Sequence, residues 1–142
     1  MIAELSLATV MVLLTVSIHA VGLYSVARLL RVEEREEALA HLHPLSFRGF
    51  GATLIVILSL IAVHGTEIWV YAALYDLIGA VEGGLREAVY FSTVTYGAIG
   101  YDDSAMAERW KLVSAIEGIN GIILIGWSTA FFVMIVARMR RT

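Results

Sequence analysis

Two groups of residues in this chain have types and spacings suited to chemistry. The first is STVTYGAIGYDD at residues 92–103, where Gly97 and Gly100 lie close to a tyrosine and two aspartates. Glycine permits left-handed backbone angles, and alternating such angles turns successive carbonyls the same way. Carbonyls gathered around an axis replace a cation's hydration shell. The backbone of Ala98, Ile99, Gly100 and Tyr101 is therefore a candidate ligand set for a monovalent cation. Asp102 adds a carboxylate, which hard divalent ions prefer. The second group is His64 with Glu67 and Glu117 with Asn120, each pair at i and i+3 and so on one helical face. Both pairs interrupt apolar runs, where polar side chains are costly and become functional suspects.

The elements that must position these residues follow from composition. Of 142 residues, 59% are hydrophobic, against about 45–50% in soluble domains, and the mean hydropathy is +0.81. The absence of cysteine excludes disulfides, Cys-ligated metals and thiol chemistry. A net charge of −3 gives no reason to expect nucleic acid. A bilayer core of about 30 Å needs about 20 apolar residues per helix, and residues 5–30, 50–77 and 112–137 each supply them. The first run is too long for a signal-peptide core and has neither a basic flank nor a small-residue cleavage site, so it reads as a retained helix. Residues 82–96 are too few to cross. Non-helical backbone at membrane depth survives only inside protein or lining water, so a short helix followed by Gly97–Gly100 reads as a re-entrant loop.

Basic residues set the orientation. Arg28, Arg31, Arg35 and Arg48 flank the first connection, and Arg138, Arg140 and Arg141 close the chain. Both clusters belong in the cytoplasm, with the N-terminus outside and residues 82–111 facing outside. The expected location is the plasma or inner membrane, as a multi-pass protein. No internal repeat is visible, so a symmetric pathway requires several chains. The segment RVEEREEALAHLH before Pro44 reads as a short helical cytoplasmic connector. Its His41 and His43 are a weak metal signal.

AVYFSTVTYGAIGYDD resembles the pore helix and selectivity filter of the tetrameric potassium channel superfamily, whose pattern runs T-x-T-T-V-G-Y-G-D. The outer helix, pore helix, filter and the inner helix WKLVSAIEGINGIILIGWSTAFFVMIV follow in the family's order. Thr95 falls at the first threonine, Gly97 and Ala98 at the next two positions, and Ile99 at the valine. Gly100 and Tyr101 match the glycine and tyrosine, Asp102 replaces the second glycine, and Asp103 matches the closing aspartate. Ala98 thus removes a ring of hydroxyls from the innermost ion site. Asp102 puts a non-glycine residue at a left-handed position, at roughly 1–2 kcal/mol, and rings the mouth with carboxylates.

The resemblance implies an all-α integral membrane fold: three transmembrane helices plus a re-entrant pore helix and filter loop, assembled as a tetramer around a central pore. The expected divisions are an additional N-terminal helix at 1–31, a cytoplasmic connector at 32–48 and a pore domain at 49–142. Within the last lie an outer helix at 49–79, a pore helix at 83–96, a filter at 97–103 and an inner helix at 110–138. The expected activity is passive K+ conduction without catalysis. The alternatives are a non-selective Na+/K+ channel with divalent ions such as Ca2+ at the Asp102 mouth, and a non-conducting channel-like subunit. The expected partners are a homotetramer and the lipid bilayer, with no cofactor, nucleic acid or small-molecule substrate besides ions.

Tyr90 and Phe91 occupy the aromatic cuff positions, with Tyr90 a candidate partner of Asp103. Thr93 and Thr95 support the pore helix, whose C-terminal partial negative charge would favour a cation. His64, Glu67, Glu117 and Asn120 are expected to meet as a buried brace, Glu67 near Asn120 or Glu117, with shared-proton gating as the alternative. Gly121 is a candidate hinge, with close packing the alternative. Leu124, Ser128, Thr129 and Phe132 are candidates for the cavity or gate, and Trp69 and Trp127 for lipid or partner contacts. A rival reading has His19 and His64 ligating haem from separate helices.

Overall fold

The computed structural model describes residues 1–33, 46–100 and 103–139, with the backbone alone described at 31–33, 103 and 139. Most of the connector, including His41 and His43, and the filter residues Tyr101 and Asp102 lie outside the described residues. Helix α1 spans Ile2–Glu33, α2 Phe47–Leu77, α3 Leu85–Tyr96 and α4 Lys111–Met139. Two 3-10 turns, Asp103–Ala105 and Glu108–Trp110, lead from the loop into α4. The described residues contain no sheet, only an isolated antiparallel bridge between Val81 and Met106.

Three helical stretches, Ile2–Leu30, Phe47–Leu77 and Glu108–Arg138, are long and apolar enough to span a membrane. At about 1.5 Å per residue, each exceeds the hydrocarbon core, whereas α3 covers only about 18 Å. Local chemistry fixes the ends of α2. The Ser46 side chain accepts a hydrogen bond from the Gly49 N–H at 3.1 Å, a side-chain N-cap. At the other end Gly79 takes φ +60. Its N–H reaches the Asp76 carbonyl, and the Ala80 N–H reaches the Tyr75 carbonyl at 2.8 Å. This is the paired closure of a left-handed C-cap, and it stops α2 two residues short of the expected 79. Ser46→Ala should cost about 1 kcal/mol, read as a lower midpoint in detergent unfolding.

The bundle is layered along its axis. At the end near the loops, Ala8 and Met11 of α1 pack with Tyr71, Ala72 and Tyr75 of α2, Ala88 and Phe91 of α3, and Val113 of α4. At the opposite end Leu23, Val26 and Leu30 meet Val56, Leu60 and Ile135. α1 and α4 therefore run antiparallel to α2. Between these apolar layers lies a buried polar belt: Thr15, His19, Glu67, Ser92, Glu117, Asn120 and Ser128. The loops on either side of α3 are joined as well, since Ala107 donates its N–H to the Ala80 carbonyl at 2.9 Å beside the Val81–Met106 bridge.

Candidate functional site: the end of the short helix and its polar support

α3 ends against α4. A Cβ on Gly121 would overlap the Tyr96 carbonyl, and one on Gly118 would sit 3.4 Å from the Thr95 carbonyl. Gly121 is ten residues into α4, so α3 stops about 15 Å below that helix's start, roughly halfway through the hydrocarbon layer. α4 continues through Gly121 as unbroken helix, and the contact gives this glycine a packing role.

The chain then folds back over the helix end. Gly97 keeps right-handed helical angles (φ −75, ψ −3) and donates to the Thr93 carbonyl. Ala98 takes the left-handed region at φ +52, the one non-glycine to do so among the described residues. Its N–H bonds the Thr95 carbonyl at 3.1 Å, and the Ile99 N–H bonds the Val94 carbonyl at 3.0 Å. Gly97 and Gly100 would tolerate left-handed angles best, and neither adopts them. Gly97 is used to finish the helix, so the reversal falls one residue later. Among the described residues, no backbone N–H donates to the carbonyls of Gly97, Ala98, Ile99 or Gly100. The Ile99 side chain is exposed. Asp103 opens a 3-10 turn.

The left-handed alanine carries a steric cost of about 1–2 kcal/mol, against about 0.5–1 for the extra chain freedom of glycine. Ala98→Gly should therefore stabilise the fold by up to about 1 kcal/mol. Ala98→Thr, which restores the hydroxyl, should destabilise it, because a β-branched residue at positive φ is an outlier. Parallel thermal melts of both variants would check the opposite signs.

The four polar residues expected to form one brace are all tied between helices, but in different pairs. Glu67 does not meet Asn120 or Glu117. It lies at the centre of one cluster: His19 Nδ1 is 3.0 Å from Oε1, His64 Nδ1 is 3.3 Å from Oε2, and the Tyr96 hydroxyl donates to Oε2. His64 Nδ1 is also 2.9 Å from the Tyr96 oxygen, and His19 Nε2 is 3.3 Å from Ser128 Oγ. Glu117 forms a second cluster, accepting from Tyr75 at 2.6 Å and Ser92 at 2.5 Å. Asn120 donates to Thr15 Oγ1 at 2.8 Å, while the Tyr71 hydroxyl lies beside this pair without closing a hydrogen bond. The geometry follows from α1 filling the space between α2 and α4, which leaves each carboxylate nearer to other donors than to its expected partner.

Phe91 is buried edge-on against Tyr75 at 5.8 Å, while Tyr90 is exposed. Thr93 donates to the Val89 carbonyl within its own helix, and the Thr95 hydroxyl is buried with no hydrogen-bond partner. Leu124 and Ser128 face the bundle interior, and only Thr129 of the suggested cavity residues is exposed. Trp127 stacks on His19 at 5.2 Å rather than serving lipid alone. The rings of His19 and His64 touch, at 5.2 Å and 45°, and are not held apart as two axial ligands on opposite faces of a porphyrin would be. Sequence reasoning missed His19 and Thr15 as partners of the polar faces on α2 and α4. Their i, i+4 spacing on one face of a largely apolar helix was the available signal.

Three helices long and apolar enough to span a membrane, with a shorter helix packed against them, define a multi-pass membrane protein. A family model described as ion channel matches residues 52–138, and the chain belongs to that ion channel family. No curated protein and no solved structure matches the chain.

Proposed function

We propose that four copies of the chain surround one pathway and conduct K+ passively through residues 97–103, without catalysis. The observation that carries this reading is the end of α3 against Gly121, well along α4, where the chain reverses at Ala98 and runs on into the proposed filter. At that depth backbone oxygens need protein, water or a cation as partner, and a shared axis would supply the cation. Tyr101 and Asp102 complete the proposed filter, with Asp102 at its mouth. The exposed α4 stripe of Ile122, Gly126, Thr129 and Val133 lines the pathway on the inner side. In this reading the N-terminus lies outside and the C-terminus in the cytoplasm, which the arginine distribution supports.

The methyl side chain of Ala98 favours a second reading, non-selective Na+/K+ conduction with divalent ions at Asp102. Flux through purified protein in liposomes separates the two. Opposed K+ and Na+ gradients, with and without external Ca2+, should give K+-selective flux if the carbonyl sites suffice. Equal permeation would support the second reading, with selectivity expected to return on restoring Thr at 98 and Gly at 102. No flux under any gradient would overturn both and leave a non-conducting subunit.

A further inference from the structure

The cluster around Glu67 gathers metal-ligating side chains from two helices at one point. His19, His64 and Glu67 each offer a ligand atom, and these atoms lie within 4.8 Å of one another. Glu67 meets the two histidines through different oxygens, with His19 Nδ1 3.0 Å from Oε1 and His64 Nδ1 3.3 Å from Oε2, so its carboxylate lies between both imidazoles. Ligand atoms bound at about 2.0 Å, the usual zinc–nitrogen and zinc–oxygen length, sit about 3.3 Å apart around one ion. The Tyr96 oxygen, 2.9 Å from His64 Nδ1 and bonded to Glu67, is a further oxygen beside the three.

We propose that His19, His64 and Glu67 form a binding site for a divalent transition-metal ion, with Zn2+ as its natural occupant and the Tyr96 oxygen or one water completing the tetrahedron. Two imidazoles and one carboxylate select borderline metals over Ca2+ or Mg2+, which take oxygen ligands. Burial of His19 and Glu67 with a fourth group already at hand describes a closed, structural site rather than an open catalytic one. His19 is also oriented from outside the cluster. Its Nε2 is engaged by Ser128 Oγ of α4, which leaves Nδ1 to turn toward Glu67, the kind of outer support that metal-bound histidines carry. Glu67 supplies the compensating charge, while Glu117 is committed to Tyr75 and Ser92. An ion here would join α1 to α2 beside the last residue of α3. The sequence reading expected no resident cofactor, and this site would add one. It does not depend on the channel reading.

The test uses the purified full-length chain in detergent, stripped with chelator and reloaded with Zn2+, with bound metal counted by mass spectrometry. The proposal expects one Zn2+ per chain, lost in His19→Ala/His64→Ala and kept in His41→Ala/His43→Ala. Ser128→Ala should weaken binding by roughly tenfold or more. Co2+ on the unmodified chain provides a reading that needs no variant to fold, and a strong tetrahedral visible absorption is expected. Absence of bound Zn2+ in the unmodified chain, equal binding by the His19/His64 variant, loss only in the His41/His43 variant, or a weak octahedral Co2+ spectrum would each overturn the site.

Discussion

Gly121→Ala is expected to destabilise the folded chain by about 1–2 kcal/mol, whereas Gly118→Ala is expected to be neutral or stabilising. Both exchanges gain helix propensity of about 1 kcal/mol. They differ in what the new methyl meets. At Gly118 it finds the Thr95 carbonyl at 3.4 Å and the Thr95 side chain at 3.8 Å, ordinary contacts. At Gly121 it would sit inside the Tyr96 carbonyl group, with the carbonyl carbon at 2.9 Å and the Cα at 3.0 Å. That obstacle is backbone, so no rotamer change relieves it, and α3 or α4 has to move. Overpacking costs about 1–3 kcal/mol and occasionally more, enough to outweigh the propensity gain. Denaturant unfolding of both variants in the same detergent checks the contrast. If Gly121 acted only as a hinge, Gly121→Ala would leave the unfolding midpoint unchanged or raised, and only gating would move.

Glu67→Ala is the second large effect, expected at about 2–4 kcal/mol. Three groups on three helices lose their acceptor together: His19, His64 and Tyr96. The loss is smaller than three separate deletions, because His64 and Tyr96 keep their own contact at 2.9 Å. His19, itself fully buried, is left with only the 3.3 Å contact to Ser128 as a polar partner. Glu67→Gln retains an acceptor oxygen and the volume, so its cost should be less than half that of the alanine. The two variants compared by thermal melting in metal-free buffer would show whether acceptor and volume matter. Equal midpoints for alanine, glutamine and the unmodified chain would mean that the cluster contributes nothing to holding the helices together.

Much of the fold was legible before any coordinates, for a simple reason. A lipid-spanning helix needs a long apolar run, and this chain has three separated by polar or glycine-rich breaks, with one remaining helix too short to cross. The family match over residues 52–138 falls on the segment where the motif was read. The support behind the loop was less legible. Spacing of i, i+3 tells which residues share a face, and His64, Glu67, Glu117 and Asn120 do turn toward other helices. It does not say which helix arrives there. α1 occupies that space and brings Thr15 and His19, so the pairings changed while the faces did not. The reversal at Ala98 was hidden for a different reason. Which residue turns left-handed depends on the residue at which α3 ends, and helix ends are what a sequence specifies least closely.

The bond from Ala107 to Ala80 and the Val81–Met106 bridge bring together the two stretches of backbone that enter and leave the intervening segment. That segment is held along its length as well as at its neck, since Ser92 bonds Glu117, Tyr96 bonds Glu67, and the Tyr96 carbonyl fills the space that Gly121 leaves open. Exchange of residues 82–105 as one block keeps the neck closed, but the incoming block has to bring the same donors and the same contour. The frame and the segment it carries therefore change together.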